Sequence, residues 1–368
     1  MSWKQRLPLW SQQIGGSGKI AVKRRRSVKP RMLYAGPLQF GSTCQYRVAG
    51  LAALGFQVDA IDVSVSGWRH IVQRALLKSG SNLDAARSGR RLRSRTSVYD
   101  VVFLDNATRL PRSAVAEIRR RNPDAVVLAH HNENFLLPHY RSERFESYLD
   151  LLDGLITTRS VVAEYASSAG AGQVSLIYKS FDPDTHRPTQ GGGSVTDIGF
   201  IGTYENARAE SIAYLVSAGF EVDVRGSSWP RASQRMFGFS VGGPIRGRQY
   251  AAALAATRIS LGFLRSMNSD QHTSRSVEIP ACGSLLLAED SMEHQAMFRN
   301  GTEAFFFRTN QEMLELVEWL VEDESTRTRV AAAGRLRCLT SEYSYEGQMR
   351  KALTELGVLV GISSRGFG

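Results

Sequence analysis

Short apolar segments of strand length alternate with helix-length segments along almost all of the 368 residues. Strands that are joined through helices are typical of parallel sheets with helices on both faces. The alternation therefore predicts an α/β fold. The predicted strands are 31–36, 56–63, 101–104, 125–129, 154–157, 174–178, 197–201, 220–225, 258–262, 284–288 and 304–307. Helices are predicted over 68–78, 160–169, 206–217, 246–256 and 344–356. A further helix ends near 54, and four others begin near 111, at 273 or 274, at 311 and at 325.

The alternation is interrupted at residues 180–195, which read SFDPDTHRPTQGGGSV. Prolines and three consecutive glycines are typical of a linker. We therefore predict a first domain over 31–190 and a second over 191–342, preceded by a flexible basic arm, 1–30, and followed by the segment 343–368. Two sheets joined in this way face each other across a cleft, and ligands of such sheets bind outside the carboxyl ends of the strands.

Composition and cysteine usage indicate where the protein works. No apolar run approaches the roughly 20 residues that span a bilayer, and no secretory signal is visible. The three cysteines, Cys44, Cys282 and Cys338, are widely spaced without a CxxC pair. This usage favours a reducing compartment and argues against structural zinc or a disulfide framework. We expect a cytoplasmic protein.

The net charge of +11 is unevenly distributed. The arm is rich in lysine and arginine, and no acidic residue precedes Asp59. A second basic cluster consists of Arg87, Arg90, Arg91, Arg93 and Arg95. Together they suggest contact with an anionic membrane surface at the inner face of the membrane, with a solvated arm and loop as the alternative. Nucleic acid is the weaker option, because the basic runs lack interleaved aromatic residues and any nucleic-acid-binding motif.

One candidate ligand loop is FIGTYENARAE, residues 200–210. A predicted strand ends at Gly202, where a glycine lets the backbone approach a ligand closely. A helix predicted to begin near Asn206 would offer free N–H groups to a phosphate, and Thr203 and Arg208 lie in the same loop and helix. A tight turn with a surface cation is the alternative interpretation.

The segment 272–289, HTSRSVEIPACGSLLLAE, follows the polar loop that contains Asp270. Thr273 or Ser274 is the predicted N-cap of the next helix. Arg275 would then lie beside a bound phosphate, and the carboxylate of Glu278 could accept two hydrogen bonds from a ribose diol. A surface ion pair between Arg275 and Glu278 is the alternative.

The first half of the chain places polar residues after its predicted strands. His131 and Glu133 are the candidate catalytic residues, because a histidine or carboxylate at a strand end can act as a general base or orient a sugar. The other candidate residues on this side of the cleft are Gln39, Gly41, Ser42, Asp105, Asn106 and His130. A structural, hydrogen-bonded histidine is the alternative for one of the adjacent pair, and a metal site is disfavoured because no HxxxH or cysteine partner follows.

Several catalytic signatures are absent from the sequence. No GxSxG, P-loop lysine or HExxH occurs, which argues against common hydrolases, kinases and zinc proteases. The absence of GxGxxG disfavours a nicotinamide enzyme.

Four stretches carry a resemblance to a known family: VSLIYKSFDPDTHRP, DIGFIGTYENAR, the long segment from ISLGFLRSMNSDQHTSR to NGTEAFFF, and RVAAAGRLRCL. They resemble the group-1 glycosyltransferases of GT-B architecture, in the spore-maturation-protein (CgeB)-like branch, over roughly residues 31–350. The resemblance implies two Rossmann-like, doubly wound domains facing across a cleft, with the last helix returning to the first domain. It also implies a nucleotide-sugar donor in the second domain and an acceptor in the first.

In that family Arg275 and its helix would face the diphosphate, Glu278 the ribose, and Gly202, Thr203 and Arg208 the same pocket. Such enzymes need no metal or cofactor, because protein cations and helix dipoles stabilise the leaving diphosphate. Many relatives carry an aspartate pair where this chain has His131, Asn132 and Glu133. The expected function is thus a metal-independent, hexosyltransferase-like glycosyltransferase. The alternatives are a non-catalytic polyanion- or membrane-binding protein and a nucleotide-sugar epimerase on the same fold.

Overall fold

The computed structural model describes residues 29–64, 72, 87–138, 140–189, 196–265 and 268–359. Within these residues the chain forms two six-stranded parallel sheets. The strands are β1 (Arg31–Gly36), β2 (Gln57–Asp62), β3 (Val101–Asp105), β4 (Val126–His131), β5 (Gly154–Thr157), β6 (Gln173–Leu176), β7 (Thr196–Ile201), β8 (Val222–Arg225), β9 (Val241–Gly242), β10 (Thr257–Gly262), β11 (Leu285–Glu289) and β12 (Phe305–Phe307).

Within the described residues, ten helices lie between successive strands, as the alternation predicts, and three more follow the last strand. They are α1 (Thr43–Ala53), α2 (Ser88–Arg93), α3 (Arg112–Arg121), α4 (Glu143–Glu146), α5 (Ser160–Ser168), α6 (Asn206–Ser217), α7 (Ser233–Phe237), α8 (Gly247–Ala255), α9 (Arg275–Ala281), α10 (Met292–Met297), α11 (Asn310–Glu322), α12 (Glu324–Thr340) and α13 (Tyr345–Glu355). The helix predicted at 68–78 and the basic arm up to residue 28 lie outside the described residues, apart from Val72, and so does the tail after 359.

Each sheet is covered on both faces, which explains why its central strands are apolar throughout. In β1, Leu33 and Ala35 belong to one buried cluster, whereas Met32 and Tyr34 belong to the cluster on the opposite face. The same alternation holds in the second sheet, where Leu285 and Leu287 face one core and Leu286 the other. Successive strand residues point to opposite faces, so a strand with two cores needs a continuous apolar run.

The strand orders place a crevice in each sheet. The first sheet has the strand order β2-β1-β3-β4-β5-β6, and the second has the order β12-β11-β10-β7-β8-β9. We call the first sheet with its helices the first lobe, and the second sheet with its helices the second lobe. The direction of winding reverses between β1 and β3 and between β7 and β10. Ligands of doubly wound sheets bind at such switch points, so the loops after these four strands frame the candidate site.

Among the described residues, the backbone crosses between the lobes after β6 and again before α13. The segment after β6 runs to the second lobe, and Phe181 pairs with Ser344 as an isolated bridge. Helix α13 then packs on the first lobe, where Met349 and Leu353 share a core with Leu51 of α1. The C-terminal helix is therefore part of the first lobe's packing.

Candidate active site

The first cavity of interest lies between the lobes at the β7/β10 switch point, and we call it the β7/β10 cavity. Its volume is about 320 Å³. The second lobe contributes predicted residues from the loop after β7 and from the start of α9, and the first lobe contributes the loop before α1. The predicted residues that line it are Gly41, Gly202, Thr203, Ser274, Arg275 and Glu278.

Glycines allow the loops around this cavity to pack closely. A Cβ atom on Gly202 would lie 2.5 Å from Cζ of Phe200, and one on Gly226 would lie 1.8 Å from the carbonyl oxygen of Gly202. Gly41 has a φ of +76°, and a side chain there would press on Arg246 across the cleft. Glycine at these three positions therefore lets the loops that line the cavity pack against their neighbours without a clash.

Arg275 supplies a cation to the β7/β10 cavity. Its side chain is half-buried, and its Cζ lies 5.7 Å from the centre of the Phe200 ring. The buried Nε has no hydrogen-bond partner among the described residues. A guanidinium held against an aromatic ring with unused donors is suited to bind an anion.

Glu278 lies in the same cavity but does not pair with Arg275 among the described residues. Its carboxylate accepts a hydrogen bond of 2.7 Å from the hydroxyl of Tyr250 and lies 3.7 Å from His186 Nε2. Burial, followed by the charge of Glu278, raises the pKa of Tyr250 well above its ordinary value, so this phenol stays protonated as a donor. The predicted alternative of a surface ion pair between Arg275 and Glu278 is not the arrangement in the structure.

Arg208 does not line the β7/β10 cavity. Its guanidinium donates to the carbonyl of Thr203, at 3.0 Å, and to that of Leu264, also at 3.0 Å. It thereby joins the loop after β7 to the loop after β10, and it is almost fully buried. Burial, and then the charge of Arg275, lowers its pKa to about 10. Arg208 therefore holds the loop after β7 and the loop after β10 in a fixed relative position.

Asp270 and Thr273 are buried and do not line the β7/β10 cavity. Asp270 forms an ion pair with Arg159 of the first lobe, and it also contacts Arg265 at 3.1 Å. The predicted N-cap is only half right: Ser274 occupies the N-cap position of α9, but its side chain makes no capping bond. Instead the backbone N–H of Thr273 donates to the hydroxyl of Ser276, at 3.0 Å.

A second cavity lies at the β1/β3 switch point of the first lobe, and we call it the β1/β3 cavity. It has a volume of about 460 Å³ and is lined by several predicted residues, namely Ser42, Asn106, His131 and Glu133. Ser42 caps α1 through a bond from the N–H of Cys44. Gln39 lines a neighbouring cavity of about 270 Å³, to which Asn106 also contributes.

His131 is buried at the wall of the β1/β3 cavity. Its ring packs against Phe135 and Phe145, and its Nδ1 lies 2.9 Å from the carbonyl oxygen of Glu133. Its Nε2 has no partner among the described residues. Burial is the main reason that its pKa falls to about 4, so the imidazole is neutral at physiological pH.

The carboxylate of Glu133 crosses to the other lobe. It accepts hydrogen bonds from Arg265, at 2.9 Å, and from Asn268, at 2.8 Å. Glu133 and Arg265 are each about one-third exposed. This residue therefore both lines the β1/β3 cavity and helps to join the lobes.

Asp105 and His130 lie beneath the cavity instead of in it. Asp105 is fully buried, with Arg47 Nε at 2.5 Å and His130 Nδ1 at 2.8 Å. Although burial alone would raise the pKa of Asp105, Arg47 and then His130 hold it well below its usual range. Burial lowers the pKa of His130 to about 4. The two histidines point to opposite sides of β4, as strand geometry predicts.

Five residues at the site have no counterpart in the sequence predictions. Thr43 lines both cavities described above and also a third, narrow cavity. Arg246 and Tyr250 come from the start of α8, Arg265 from the loop after β10, and Lys179 from the segment after β6. Thr43, Lys179 and Arg265 follow predicted strands and Arg246 begins a predicted helix, so these four positions could have been indicated, whereas no local pattern indicates Tyr250.

Comparison with solved structures identifies the arrangement. HepE from Anabaena, solved with UDP-glucose, superposes with a TM-score of 0.60 at 13% identity, covering 88% of this chain and 99% of HepE. A glycosyltransferase from Rickettsia africae ESF-5 gives a TM-score of 0.61 at 11% identity, covering 92% of this chain and 100% of the other. The fold is GT-B. Sucrose-phosphate synthase from Thermosynechococcus elongatus is similar with a TM-score of 0.57, 12% identity, and 88% and 97% coverage.

Comparison with models of protein families finds a match over part of the chain. Residues 208–354 match the family model described as glycosyl transferase-like. The matched range contains α9 with Arg275 and Glu278, and it ends within α13. No curated protein sequence matches the chain.

The described residues also bear on metals and membranes. No group of three histidine, cysteine, aspartate or glutamate side chains among them could hold a metal ion. None of the helices in the described part of the chain combines the length and the apolar character needed to cross a bilayer.

Proposed function

We propose that the protein is a glycosyltransferase that moves a sugar from a nucleoside-diphosphate sugar to an acceptor. The observation that carries this proposal is the β7/β10 cavity, which Arg275 and the carboxylate of Glu278 line together with Gly202. A cation suits a diphosphate, and a carboxylate suits a ribose diol. The match of residues 208–354 to the glycosyl transferase-like model and the UDP-glucose bound to HepE support the same assignment.

In this proposal the glycosidic bond to the diphosphate breaks as the acceptor oxygen bonds to the anomeric carbon. Arg275 stabilises the negative charge that develops on the leaving diphosphate, so that protein cations supply the stabilisation and no metal or cofactor is required. Glu278 holds the ribose, with Tyr250 fixing its carboxylate. Arg208 keeps the loops after β7 and β10 at the spacing the donor needs.

The acceptor is proposed to bind in the β1/β3 cavity. His131 and Glu133 line it, one as a neutral imidazole and the other as a carboxylate held from the opposite lobe. We assign the acceptor's proton to one of these two groups and its orientation to the other. A pH–rate profile of His131→Gln and Glu133→Gln distinguishes the roles, since the residue that takes the proton controls the acidic limb.

We further propose that the protein works in the cytoplasm against an anionic membrane surface. Arg87, Arg90 and Arg93 are exposed around α2 and form no ion pair among the described residues, while Leu92 anchors this helix in the core. The charges therefore face outwards from a rigid element. Sedimentation with vesicles should show binding to phosphatidylglycerol that salt weakens, and little binding to phosphatidylcholine.

Replacing Arg87, Arg90 and Arg93 by glutamine should reduce vesicle binding, whereas Arg329→Gln, an exposed arginine of α12, should not. Equal binding by the triple variant and the wild type would contradict the membrane assignment.

The function is tested first by a thermal-shift screen of UDP, GDP, ADP, CMP and TDP sugars. A donor at 100 times its dissociation constant should raise the free energy of unfolding by about 2.7 kcal/mol. Arg275→Ala should abolish the shift, whereas Arg258→Ala, which removes an exposed pair with Asp197 at the other end of the sheet, should keep it. Absence of any shift would favour a non-catalytic polyanion-binding protein, and a new sugar nucleotide formed from donor alone would identify an epimerase.

A further inference from the structure

Lys179 lies in the segment that leaves β6 for the second lobe. Its backbone N–H donates to His272 Nε2 of the second lobe, at 2.8 Å. The preceding residue, Tyr178, donates its N–H to the side chain of Gln348 in α13, at 2.8 Å. The backbone at Lys179 is thus fixed from both sides, and its side chain emerges at a defined place between the lobes.

Lys179 lines the third, narrow cavity, which has a volume of about 10 Å³ and is lined also by Thr43, His130, Asn132 and Ser274. Ser274 lines the β7/β10 cavity as well, and Asn132 lines the β1/β3 cavity. The lysine therefore lies in the connection between the lobes, close to the start of α9 at Ser274 and to the wall of the β1/β3 cavity at Asn132.

The ammonium group is poorly compensated there. Its hydrogen bond to the carbonyl of Asn132 is long, at 3.4 Å, and none of the described carboxylates forms an ion pair with it. The nearby acids are already used, since Glu133 binds Arg265 and Asp270 binds Arg159. Lys179 is half-buried; a partly desolvated cation without a counter-ion carries an energetic cost, and a bound anion would reduce that cost.

We propose that Lys179 is a second cation for the diphosphate of the donor, acting from the lobe junction beside Ser274, the residue that precedes Arg275 and lines both cavities. This assignment rests on the glycosyltransferase function proposed above. It adds a second residue from the connection between the lobes to the donor site, since His186 of the same connection already lines the β7/β10 cavity. A donor bound by both cations would draw the two lobes together around the reacting centre.

The surroundings of Lys179 make donor binding depend on pH. Burial, and then the charge of Arg159, lowers its pKa to about 7. Arg265 acts in the same direction, whereas Glu133 and Asp270 act against it, and the neighbouring His130 is neutral. A bound diphosphate favours the protonated amine, so binding takes up a proton and weakens as the pH rises through about 7. The diester phosphates of a sugar nucleotide do not titrate in this range.

The test is calorimetry of UDP-glucose, or of the sugar nucleotide that the thermal-shift screen selects, with the full chain from about pH 6 to about pH 9. Two buffers with different ionisation heats report the proton taken up. Lys179→Gln should weaken binding about 10- to 100-fold at the acidic end and remove the proton uptake. Lys179→Arg, which stays charged, should bind at every pH without the uptake, and Arg258→Ala should behave as the wild type.

The outcomes separate the two proposals. If no sugar nucleotide binds the wild type, the proposed function and the role of Lys179 both fail. If the wild type binds with no proton uptake, or if Lys179→Gln binds with unchanged affinity and pH dependence, the role of Lys179 alone is overturned. Should Lys179→Gln fail to fold, the wild type and Lys179→Arg still decide the question.

Discussion

The ion pair between Asp270 and Arg159 joins the two lobes, and its removal should cost much more than the loss of a surface pair. Both side chains are nearly inaccessible to solvent, at 2% and 4% exposure. Asp270→Asn keeps the shape but leaves the Arg159 guanidinium buried without its counter-charge. Breaking a buried pair from one side costs about 3–5 kcal/mol, and because the amide oxygen can still accept a hydrogen bond, we expect a loss of about 3 kcal/mol.

Urea unfolding followed by circular dichroism measures this loss. The control is Asp150→Asn, since Asp150 pairs with Arg112 on the surface and both side chains are about half exposed. Exposed pairs contribute about 1 kcal/mol or less, so the control should be nearly neutral. If Asp270→Asn and Asp150→Asn had equal effects, the lobe-joining role of the buried pair would be refuted.

The same pair has a pH signature. Burial alone would raise the pKa of Asp270, but Arg159 and then Arg265 lower it. A carboxyl whose folded pKa lies below its unfolded value of about 3.9 stabilises the fold above that pH and ceases to do so as the pH falls through the folded pKa. The stability difference between the wild type and Asp270→Asn should therefore shrink in acid.

Three further predictions concern the two cavities. Gly202→Ala places a Cβ 2.5 Å from the Phe200 ring. It should lower the free energy of unfolding by about 1–3 kcal/mol in urea unfolding, and calorimetry should show donor affinity at least tenfold weaker. The control Gly243→Ala, which has no atom near its added Cβ, should change neither quantity. Glu278→Gln should weaken sugar-nucleotide binding about 10- to 100-fold by removing charge-assisted bonds to the ribose, and unchanged affinity would contradict the ribose assignment. Glu133→Gln should cost about 1 kcal/mol or less in unfolding but lower kcat about 100-fold, and a near-normal kcat would limit Glu133 to joining the lobes.

The sequence predicted the secondary structure best where apolar runs are buried on both sides. The bounds of β1, β5 and α6 agree with prediction, because each begins and ends at a clear change of residue type. Strand β4 is longer than predicted and includes two histidines. His130 and His131 continue its pairing with β5, since Asp105 and the aromatic residues around His131 satisfy or cover their polar rings.

The candidate site could be predicted where it follows from strand ends, and not where it depends on tertiary contacts. Gly202, Arg275 and Glu278 come soon after predicted strands, so topology alone brings them to one edge of the sheet. The bond from Tyr250 to Glu278 joins residues in different helices, and the pair of Asp270 with Arg159 joins different lobes. No periodicity in the sequence encodes such contacts, and for the same reason the lobe-junction position of Lys179 became visible only in three dimensions.

The location of the donor is the central claim, and a crystal structure with the selected sugar nucleotide tests it most directly. We predict electron density for the diphosphate within hydrogen-bonding distance of Arg275, with the ribose against Glu278. Density for the nucleotide in the β1/β3 cavity or on the outer surface, with the β7/β10 cavity filled only by solvent, would contradict the account.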